Sequence, residues 1–145
     1  MAVCMKKRLR AVGIILLNGN LVLIHRKNVK YRSLKEYYIL PGVFCKNEDE
    51  FKDKLKQELF ETIGLDVNVK KLLFYLETEQ TKEYFYLCEY ISGKFKNLKD
   101  ANMNNNVSRF AVKGVPEILR KKELENIYIM PEGVKNKLLD EVRWE

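Results

Sequence analysis

The stretch LPGVFCKNEDEFKDKLKQELFETIGL, residues 40–65, decides the fold of this chain. Four apolar residues recur in it at every fourth position: Phe51, Leu55, Leu59 and Ile63. This spacing lines up one face of an α-helix, because the helix repeats about every 3.6 residues. The stretch therefore predicts an amphipathic helix that packs its apolar stripe against the rest of the protein.

The sequence also marks both ends of this helix. Asn47 is a suitable N-cap, since its side chain can accept a hydrogen bond from a backbone N–H of the first turn. The acidic residues 48–50 suit the positive end of the helix dipole. Gly64 suits the position after the last turn, where a left-handed conformation is common. We therefore predict a helix from Glu48 to Ile63.

Two carboxylates, Glu58 and Glu61, fall near the end of this helix. A wheel of about 100° per residue places Glu58 beside the apolar stripe and Glu61 one step outward. Closely set oxygen ligands suit Mg²⁺ or Mn²⁺. Glu pairs three residues apart are also common on solvated helix faces, so the spacing alone leaves both interpretations open.

The segments before the helix have the patterns of β-strands. Two β-rich runs, Arg8–Leu17 and Leu21–Lys27, flank Asn18 to Asn20, and Asn-Gly is a strong signal for a tight turn. The run Glu36–Leu40 predicts a third strand that ends at the turn residues Pro41 and Gly42. The chain is therefore expected to open with a β-hairpin and a short strand.

The segments after the helix predict further strands and then helices. Alternating and aromatic residues in Val67–Glu77 and Glu83–Ile91 predict a second antiparallel pair. A short strand is predicted at Phe110–Val112. Two more helices are predicted at Pro116–Lys122 and Pro131–Val142, because each has Pro near its start.

Size and composition agree with this series of elements. A chain of 145 residues, 46% hydrophobic, can build one core, and we expect a single α+β domain over residues 1–145. Every apolar run is shorter than the roughly 20 residues that a membrane helix requires. The three cysteines show neither a metal nor a disulfide spacing and fit a reducing cytoplasm.

The formal net charge of +7 favours anionic partners, either nucleotides or nucleic acid. Lysines are spread along most of the chain, a pattern more typical of a solubilising surface than of a binding patch. Of the functions considered, a nucleic-acid-binding module is therefore the least supported, and we do not expect a nucleic-acid partner.

The stretch 40–65 resembles the Nudix box, the signature of MutT-like hydrolases. Glu58, Glu61 and Gly64 match its conserved polar and glycine positions, and Gly42 matches a glycine that precedes the box. Four positions depart from the signature: Val43 replaces its first Gly, Asp49 its first Glu, Gln57 its Arg and Thr62 the second of its paired Glu. Similar segments before and after the box extend the resemblance over nearly the whole chain.

This resemblance implies a Nudix-type α/β/α sandwich with a mixed, largely antiparallel sheet. It implies a cytoplasmic hydrolase that cleaves the pyrophosphate linkage of a nucleoside diphosphate derivative with Mg²⁺ or Mn²⁺. Glu58 and Glu61 are then catalytic and metal-ligand candidates, and Gly42 offers its carbonyl as a further ligand. The substrate would be a nucleotide-type small molecule, and the family allows a homodimer.

Two residues weaken this interpretation. Thr62 supplies a neutral oxygen where the box has a carboxylate, and Lys54 lies one turn before Glu58, where its ammonium could occupy the place of a cation. Lys54 could equally point to solvent. The alternative function is therefore a catalytically weakened Nudix domain that binds a nucleotide or a partner without turnover.

Other polar residues are secondary candidates. Arg10 and Arg26 could contact substrate phosphates, since guanidinium groups match phosphate oxygens, although both could be exposed strand residues. Glu79 or Glu83 could supply an extra metal carboxylate. Substrate specificity is expected from the segments 28–35 and 92–106.

His25 and Cys45 complete the candidates. His25, the only histidine, is expected to be structural rather than catalytic. Cys45 could be a reactive thiol near a helix N-terminus, although a lone cysteine is more often inert.

Overall fold

The computed structural model describes residues 6–27, 36–95 and 114–144. Within these ranges the strands are β1 (Arg8–Leu17), β2 (Asn20–Lys27), β3 (Glu36–Ile39), β4 (Gly42–Cys45), β5 (Leu65–Glu77), β6 (Thr81–Gly93), β7 (Gly114–Leu119) and β8 (Ile129–Met130), and the α-helices are α1 (Phe51–Glu58) and α2 (Val134–Glu141). Short 3₁₀ turns cover Glu48–Glu50 and Lys121–Asn126. No helix in the described part of the chain has the length and apolarity needed to cross a membrane.

All of these strands belong to one mixed sheet. The strand order is β5-β6-β1-β2-β3-β8, with β4 also paired to β1 and β7 also paired to β2. The pairs β1–β6 and β3–β8 are parallel, and the other pairs are antiparallel. The predicted mixed, largely antiparallel sheet is therefore confirmed.

Helices cover both faces of the sheet. Because side chains alternate along a strand, Val12 and Ile14 of β1 face one side, where they share a core with residues of α2. Ala11 and Ile15 face the other side, where they share a core with the apolar stripe of α1. The central strand is buried on both faces, which explains its nearly continuous apolar run. The layers form the predicted α/β/α sandwich.

Both predicted hairpins are confirmed. The first turns at Asn18 (φ 53°) and Gly19 (φ 82°), the positive angles that favour Asn-Gly. Leu16 pairs with Leu21 across this turn. The second hairpin joins β5 and β6, which are each longer than predicted.

The predicted helix from Glu48 to Ile63 is present but not uniform. A 3₁₀ turn leads into α1, and a π-helical turn, Leu59–Ile63, follows it. The helix ends as predicted at Gly64 (φ 88°), whose N–H donates to the carbonyls of Leu59 and Phe60. Asn47 occupies the predicted N-cap position, but its side chain forms no capping hydrogen bond. The 100° wheel therefore fails after Glu58, because a π turn contains more residues than an α turn.

The predicted helix at Pro116–Lys122 is wrong. Residues Gly114–Leu119 form β7, in which Pro116 lies opposite Ile24 of β2. Within the described ranges β7 pairs only with β2, and an edge strand tolerates Pro because one of its sides needs no donors. The strand is followed by the 3₁₀ turn instead of an α-helix.

The predictions at the C-terminal end had other outcomes. The helix predicted at Pro131–Val142 is confirmed, although α2 begins only at Val134. The strand predicted at Phe110–Val112 lies outside the described residues. The pairs made by the short strands β4 and β8 were not predicted, because neither strand is long enough to show an alternating pattern.

Candidate active site

A cavity of about 560 Å³ opens in the sheet beside the end of the α1 segment. Its wall includes Arg10 of β1, Arg26 of β2 and Gly42 of β4, all of which the sequence singled out. Glu83 of β6 and Thr62 of the π turn also line it. The fold thus brings residues from five separate segments to one place.

Apolar side chains complete the wall of this cavity. They are Ile24, Tyr37, Ile39, Pro41, Phe44, Pro116, Met130 and Pro131, together with Ile63 of the π turn. Phe44 is 39% exposed, and the guanidinium carbon of Arg8 lies 3.7 Å from its ring centroid. This wall has no signal in the sequence, since its residues come from strands that meet only in the folded protein. A flat ring such as a nucleobase could pack here.

Arg10 and Glu83 form a buried ion pair in the cavity wall. Arg10 Nη1 donates to Glu83 Oε1 at 3.1 Å, and Arg10 Nη2 donates to the Leu40 carbonyl at 3.0 Å. Burial lowers the pKa of the Arg10 guanidinium, and the charge of Glu83 opposes that effect. Arg10 nevertheless stays protonated, because an arginine pKa lies far above neutral pH.

Arg26 adds a second positive charge to the same cavity. Its guanidinium carbon lies 6.0 Å from the ring centroid of Tyr37. The charge of Arg26 contributes to lowering the pKa of Arg10, which shows that the two guanidinium groups influence each other. Arg10 and Arg26 thus place two guanidinium groups in the cavity wall, and groups of this kind bind anionic ligands.

The Gly42 carbonyl is directed away from β1. The Gly13 N–H donates to the Pro41 carbonyl at 2.8 Å, so these two residues form a hydrogen-bonded pair. Hydrogen-bonded and non-bonded pairs alternate in an antiparallel ladder, and the next pair is Val12 with Gly42. The Gly42 carbonyl is therefore not used in the pairing of β4 with β1.

Replacing Gly42 by Ala is expected to lower the free energy of unfolding by about 1–3 kcal/mol. A Cβ at this position would lie 2.6 Å from the Ala11 carbonyl oxygen and 3.0 Å from the guanidinium carbon of Arg10. Gly42 does not have a positive φ, so the effect would be steric. Urea denaturation measures it, and an unchanged midpoint would contradict the close approach of β4 to β1.

Glu58 and Glu61 lie next to the cavity on the helical segment but do not line it. Glu58 is half-buried, and burial raises the pKa of its carboxyl group, as does the charge of Glu61. Lys54 lowers that pKa by a smaller amount. Glu61 is exposed and accepts a hydrogen bond from Gln57 Nε2 at 2.9 Å. The two carboxylates repel each other, and a cation would relieve that repulsion.

Thr62 and Lys54, the two residues expected to weaken the site, behave differently. Thr62 lines the cavity, and its hydroxyl donates to the Glu58 carbonyl at 2.7 Å, so the oxygen keeps lone pairs with which it can accept. Lys54 is exposed, and no ion pair joins it to Glu58 within the part of the chain that the structure describes. The charge of Lys54 still acts on Glu58 at longer range, since it lowers the pKa of that carboxyl group.

The oxygen atoms near the end of α1 are of the kind that a hard divalent cation binds. Within residues 6–27, 36–95 and 114–144, no three His, Cys, Asp or Glu side chains converge on one point. Mg²⁺ commonly uses one or two carboxylates and completes its shell with waters and phosphates. Glu58, Glu61, the Gly42 carbonyl and the Thr62 hydroxyl supply oxygen atoms of this kind.

Solved structures share this overall fold. An ADP-ribose pyrophosphatase from Streptococcus suis superposes with a TM-score of 0.65 over 97% of each chain, at 17% sequence identity. The chain has the Nudix fold. A MutT Nudix hydrolase from Burkholderia pseudomallei is 16% identical, with a TM-score of 0.66 over 96% of this chain and 100% of its own. A Nudix hydrolase from Nitrosomonas europaea is 10% identical, with a TM-score of 0.66 over 93% of this chain and 88% of its own.

No protein-family model matches the sequence, and no curated protein matches it either. The resemblance to Nudix hydrolases is confirmed at the level of the fold. In this Nudix fold the stretch forms β4, the following loop and the helical segment beside the cavity.

The remaining candidates lie outside the cavity of the Nudix fold, or are buried. His25 stacks on Tyr38 and has carboxylates at both ring nitrogens, Glu117 at 2.8 Å and Glu36 at 2.7 Å, in agreement with a structural role. Burial raises the pKa of the Cys45 thiol, which disfavours the reactive thiolate. Glu79 is exposed and lines a different depression. Of the two extra carboxylates considered, only Glu83 reaches the cavity.

Proposed function

We propose that this protein is a Nudix-type hydrolase that cleaves the pyrophosphate linkage of a nucleoside diphosphate derivative with Mg²⁺ or Mn²⁺. The observation that supports it most is the cavity in which Arg26, Gly42 and the end of the helical segment, Thr62 and Ile63, meet. The Streptococcus suis protein is named an ADP-ribose pyrophosphatase, and ADP-ribose belongs to this class of compounds.

In this proposal the charged and the apolar parts of the cavity wall bind different parts of the substrate. The Arg26 guanidinium binds oxygens of the diphosphate, since its planar donors match phosphate geometry. The apolar wall around Phe44 takes the base or the sugar. The cation would be held by Glu58, Glu61 and the Gly42 carbonyl, with the Thr62 hydroxyl nearby, and would neutralise charge on the phosphoryl oxygens.

Glu58 is the proposed proton acceptor. A water oxygen attacks one phosphorus, the bridging P–O bond breaks, and the proton of the water passes to a carboxylate oxygen of Glu58. The raised pKa of Glu58 makes its carboxylate a stronger base than an ordinary glutamate. The products are two phosphomonoesters, or a nucleoside monophosphate and pyrophosphate when the substrate is a nucleoside triphosphate.

A catalytically weakened domain is the second candidate, and Thr62 is the observation that favours it. Its neutral hydroxyl, already engaged with the Glu58 carbonyl, replaces a carboxylate of the box. With one formal charge fewer, the site would hold a cation less tightly. Such a protein would bind nucleotides without turning them over.

A substrate panel separates the two candidates. Nucleotide sugars, dinucleotides and nucleoside triphosphates are incubated with the protein with and without Mn²⁺, and new phosphomonoesters are measured. We expect cation-dependent release from at least one of these compounds, and lower release in Glu61→Gln. Thermal stabilisation by a nucleotide without any release would instead support the weakened domain.

Restoring the missing carboxylate is expected to tighten cation binding. Thr62→Glu should raise the Mn²⁺ affinity by about tenfold, because affinity grows with the number of charged ligands. Gln80→Glu is the matched control, since it adds the same charge in the exposed β5–β6 turn. Mn²⁺ titration followed by electron paramagnetic resonance measures both variants. Equal affinities in the two variants would contradict the placement of the cation beside Thr62.

A further inference from the structure

The guanidinium of Arg10 is held between two groups of the protein itself. It donates from Nη1 to Glu83 and from Nη2 to the Leu40 carbonyl. The side chains of the ion pair are only 14% and 8% exposed. Arg10 on β1 therefore ties β6 to the segment that leads into β4.

Glu83 is itself fixed on its second oxygen. Its Oε2 accepts a hydrogen bond from the Thr81 hydroxyl at 3.0 Å, and that hydroxyl lies 2.7 Å from the hydroxyl of Thr78. The Thr78 hydroxyl in turn accepts the Thr81 N–H at 2.9 Å. Both oxygens of Glu83 thus have protein partners, so this carboxylate serves as an anchor for Arg10.

The segment held by Arg10 carries the proposed carbonyl ligand. A Cβ at Gly42 would lie 3.0 Å from both Cζ and Nη2 of Arg10, so the guanidinium packs directly against the Gly42 backbone. The segment is also held by the backbone hydrogen bond from the Gly13 N–H to the Pro41 carbonyl. Pro41 also restricts the backbone between the two contacts. Together these contacts fix the direction of the Gly42 carbonyl.

The ion pair also keeps this part of the cavity compatible with a cation. An unbalanced positive charge next to the Gly42 carbonyl would repel Mg²⁺ or Mn²⁺ at short range. The carboxylate of Glu83, which is itself buried, neutralises the charge of Arg10. Arg10 can therefore position the Gly42 carbonyl while its own positive charge is neutralised by Glu83.

We propose that Arg10 is a positioning residue. It is anchored by Glu83 and orients the segment from Leu40 to Gly42 toward the proposed cation. The substrate phosphates bind to Arg26 and not to Arg10. The cation in this statement rests on the proposed function. The contact between Arg10 and the segment does not depend on it.

The test compares Arg10→Gln with Arg26→Gln in the full chain. Mn²⁺ binding is measured by electron paramagnetic resonance, and ADP binding by calorimetry without divalent cations. Arg10→Gln should weaken Mn²⁺ binding by about tenfold or more, the usual effect of removing a group that orients a metal ligand. Combined with Glu83→Gln, so that no unpaired carboxylate remains in the cavity wall, Arg10→Gln should keep its ADP affinity within about twofold. Arg26→Gln should show the opposite pattern. Loss of ADP affinity with unchanged Mn²⁺ binding in Arg10→Gln would overturn the proposal.

A second variant and a second measurement keep the test decisive. Arg10→Lys retains a charge opposite Glu83, so it is used if Arg10→Gln does not fold. The same loss of Mn²⁺ affinity is expected, because one ammonium lacks the fork that reaches both Glu83 and the Leu40 carbonyl. Full Mn²⁺ affinity in Arg10→Lys would refute positioning by the guanidinium.

Amide hydrogen exchange without metal separates this proposal from the proposed function. The Gly13 amide, which donates to Pro41, should exchange faster in the Arg10 variant, while amides within α2 stay unchanged. If the wild type binds no Mn²⁺, the proposed function fails and the exchange result alone decides. Unchanged Gly13 exchange would then show that Arg10 does not hold the segment.

Discussion

Glu58→Gln should reduce the cation-dependent hydrolysis rate by about 10²–10⁴-fold, the range expected for loss of a general base. The substitution preserves the shape of the side chain but removes its charge and its ability to accept a proton. Glu58 is half-buried at the end of α1, where burial and Glu61 raise its pKa. The measurement is kcat at saturating Mn²⁺ and substrate, so that weaker cation binding does not account for the loss.

Asp53→Asn is the control for this prediction. It removes the same unit charge from an exposed position of α1, on the side of the helix that lines a separate depression. Its kcat should equal that of the wild type. If Glu58→Gln retained wild-type kcat, Glu58 would have no role in proton transfer.

The raised pKa of Glu58 also has a consequence for stability. Because the folded state disfavours its charged form, the wild type gains stability at pH values below the ordinary glutamate pKa of 4.5 and loses it as pH rises through the raised value. Without divalent cations, Glu58→Gln should therefore melt at a slightly higher temperature than the wild type near neutral pH. The difference should disappear in acid, and saturating Mn²⁺ should reverse its sign by stabilising only the wild type.

Leu55→Ala should lower the free energy of unfolding by about 2–5 kcal/mol, the cost of emptying a buried leucine site. Leu55 is fully buried in the core between α1 and the sheet. A Cβ at Gly13 would lie 3.8 Å from its Cδ1 atom, so β1 leaves little space into which the site could collapse. Urea denaturation with an unchanged m value measures the loss.

Lys52→Ala is the matched control on the same helix. Lys52 is exposed, so its truncation should change the free energy of unfolding by no more than about 0.5 kcal/mol. If the two variants were equally stable, the α1 stripe would not be packed against the sheet. The comparison therefore tests the sequence pattern from which the fold was predicted.

The elements that could be predicted have strong signals within a few neighbouring residues. The first hairpin follows from Asn18 and Gly19, whose positive φ angles suit only a few residue types. The helix after Asn47 follows from its apolar stripe, and its end follows from Gly64. In each case a local pattern is sufficient, because the interactions that form the element join neighbouring residues.

The failed predictions concern segments whose structure depends on partners that are distant in the sequence. The sequence around Pro116 fits the start of a helix as well as it fits an edge strand. Only the pairing with β2 distinguishes the two structures. The π turn after Glu58 is another example, since its register is set by how the end of the helix packs and not by a marked residue. Local propensity is a weak guide where tertiary pairing competes with it.

The sequence by itself determined the layered α+β fold, the box helix and the positions of Glu58, Glu61 and Gly42 along the chain. Only the tertiary structure decided that Arg10 meets Glu83, 73 residues away, and that Thr62 and Arg26 share their cavity. The physical reason is strand register: the parallel pairing of β1 with β6 places Arg10 beside Glu83. That register is set by the packing of both cores, which no short stretch of sequence encodes.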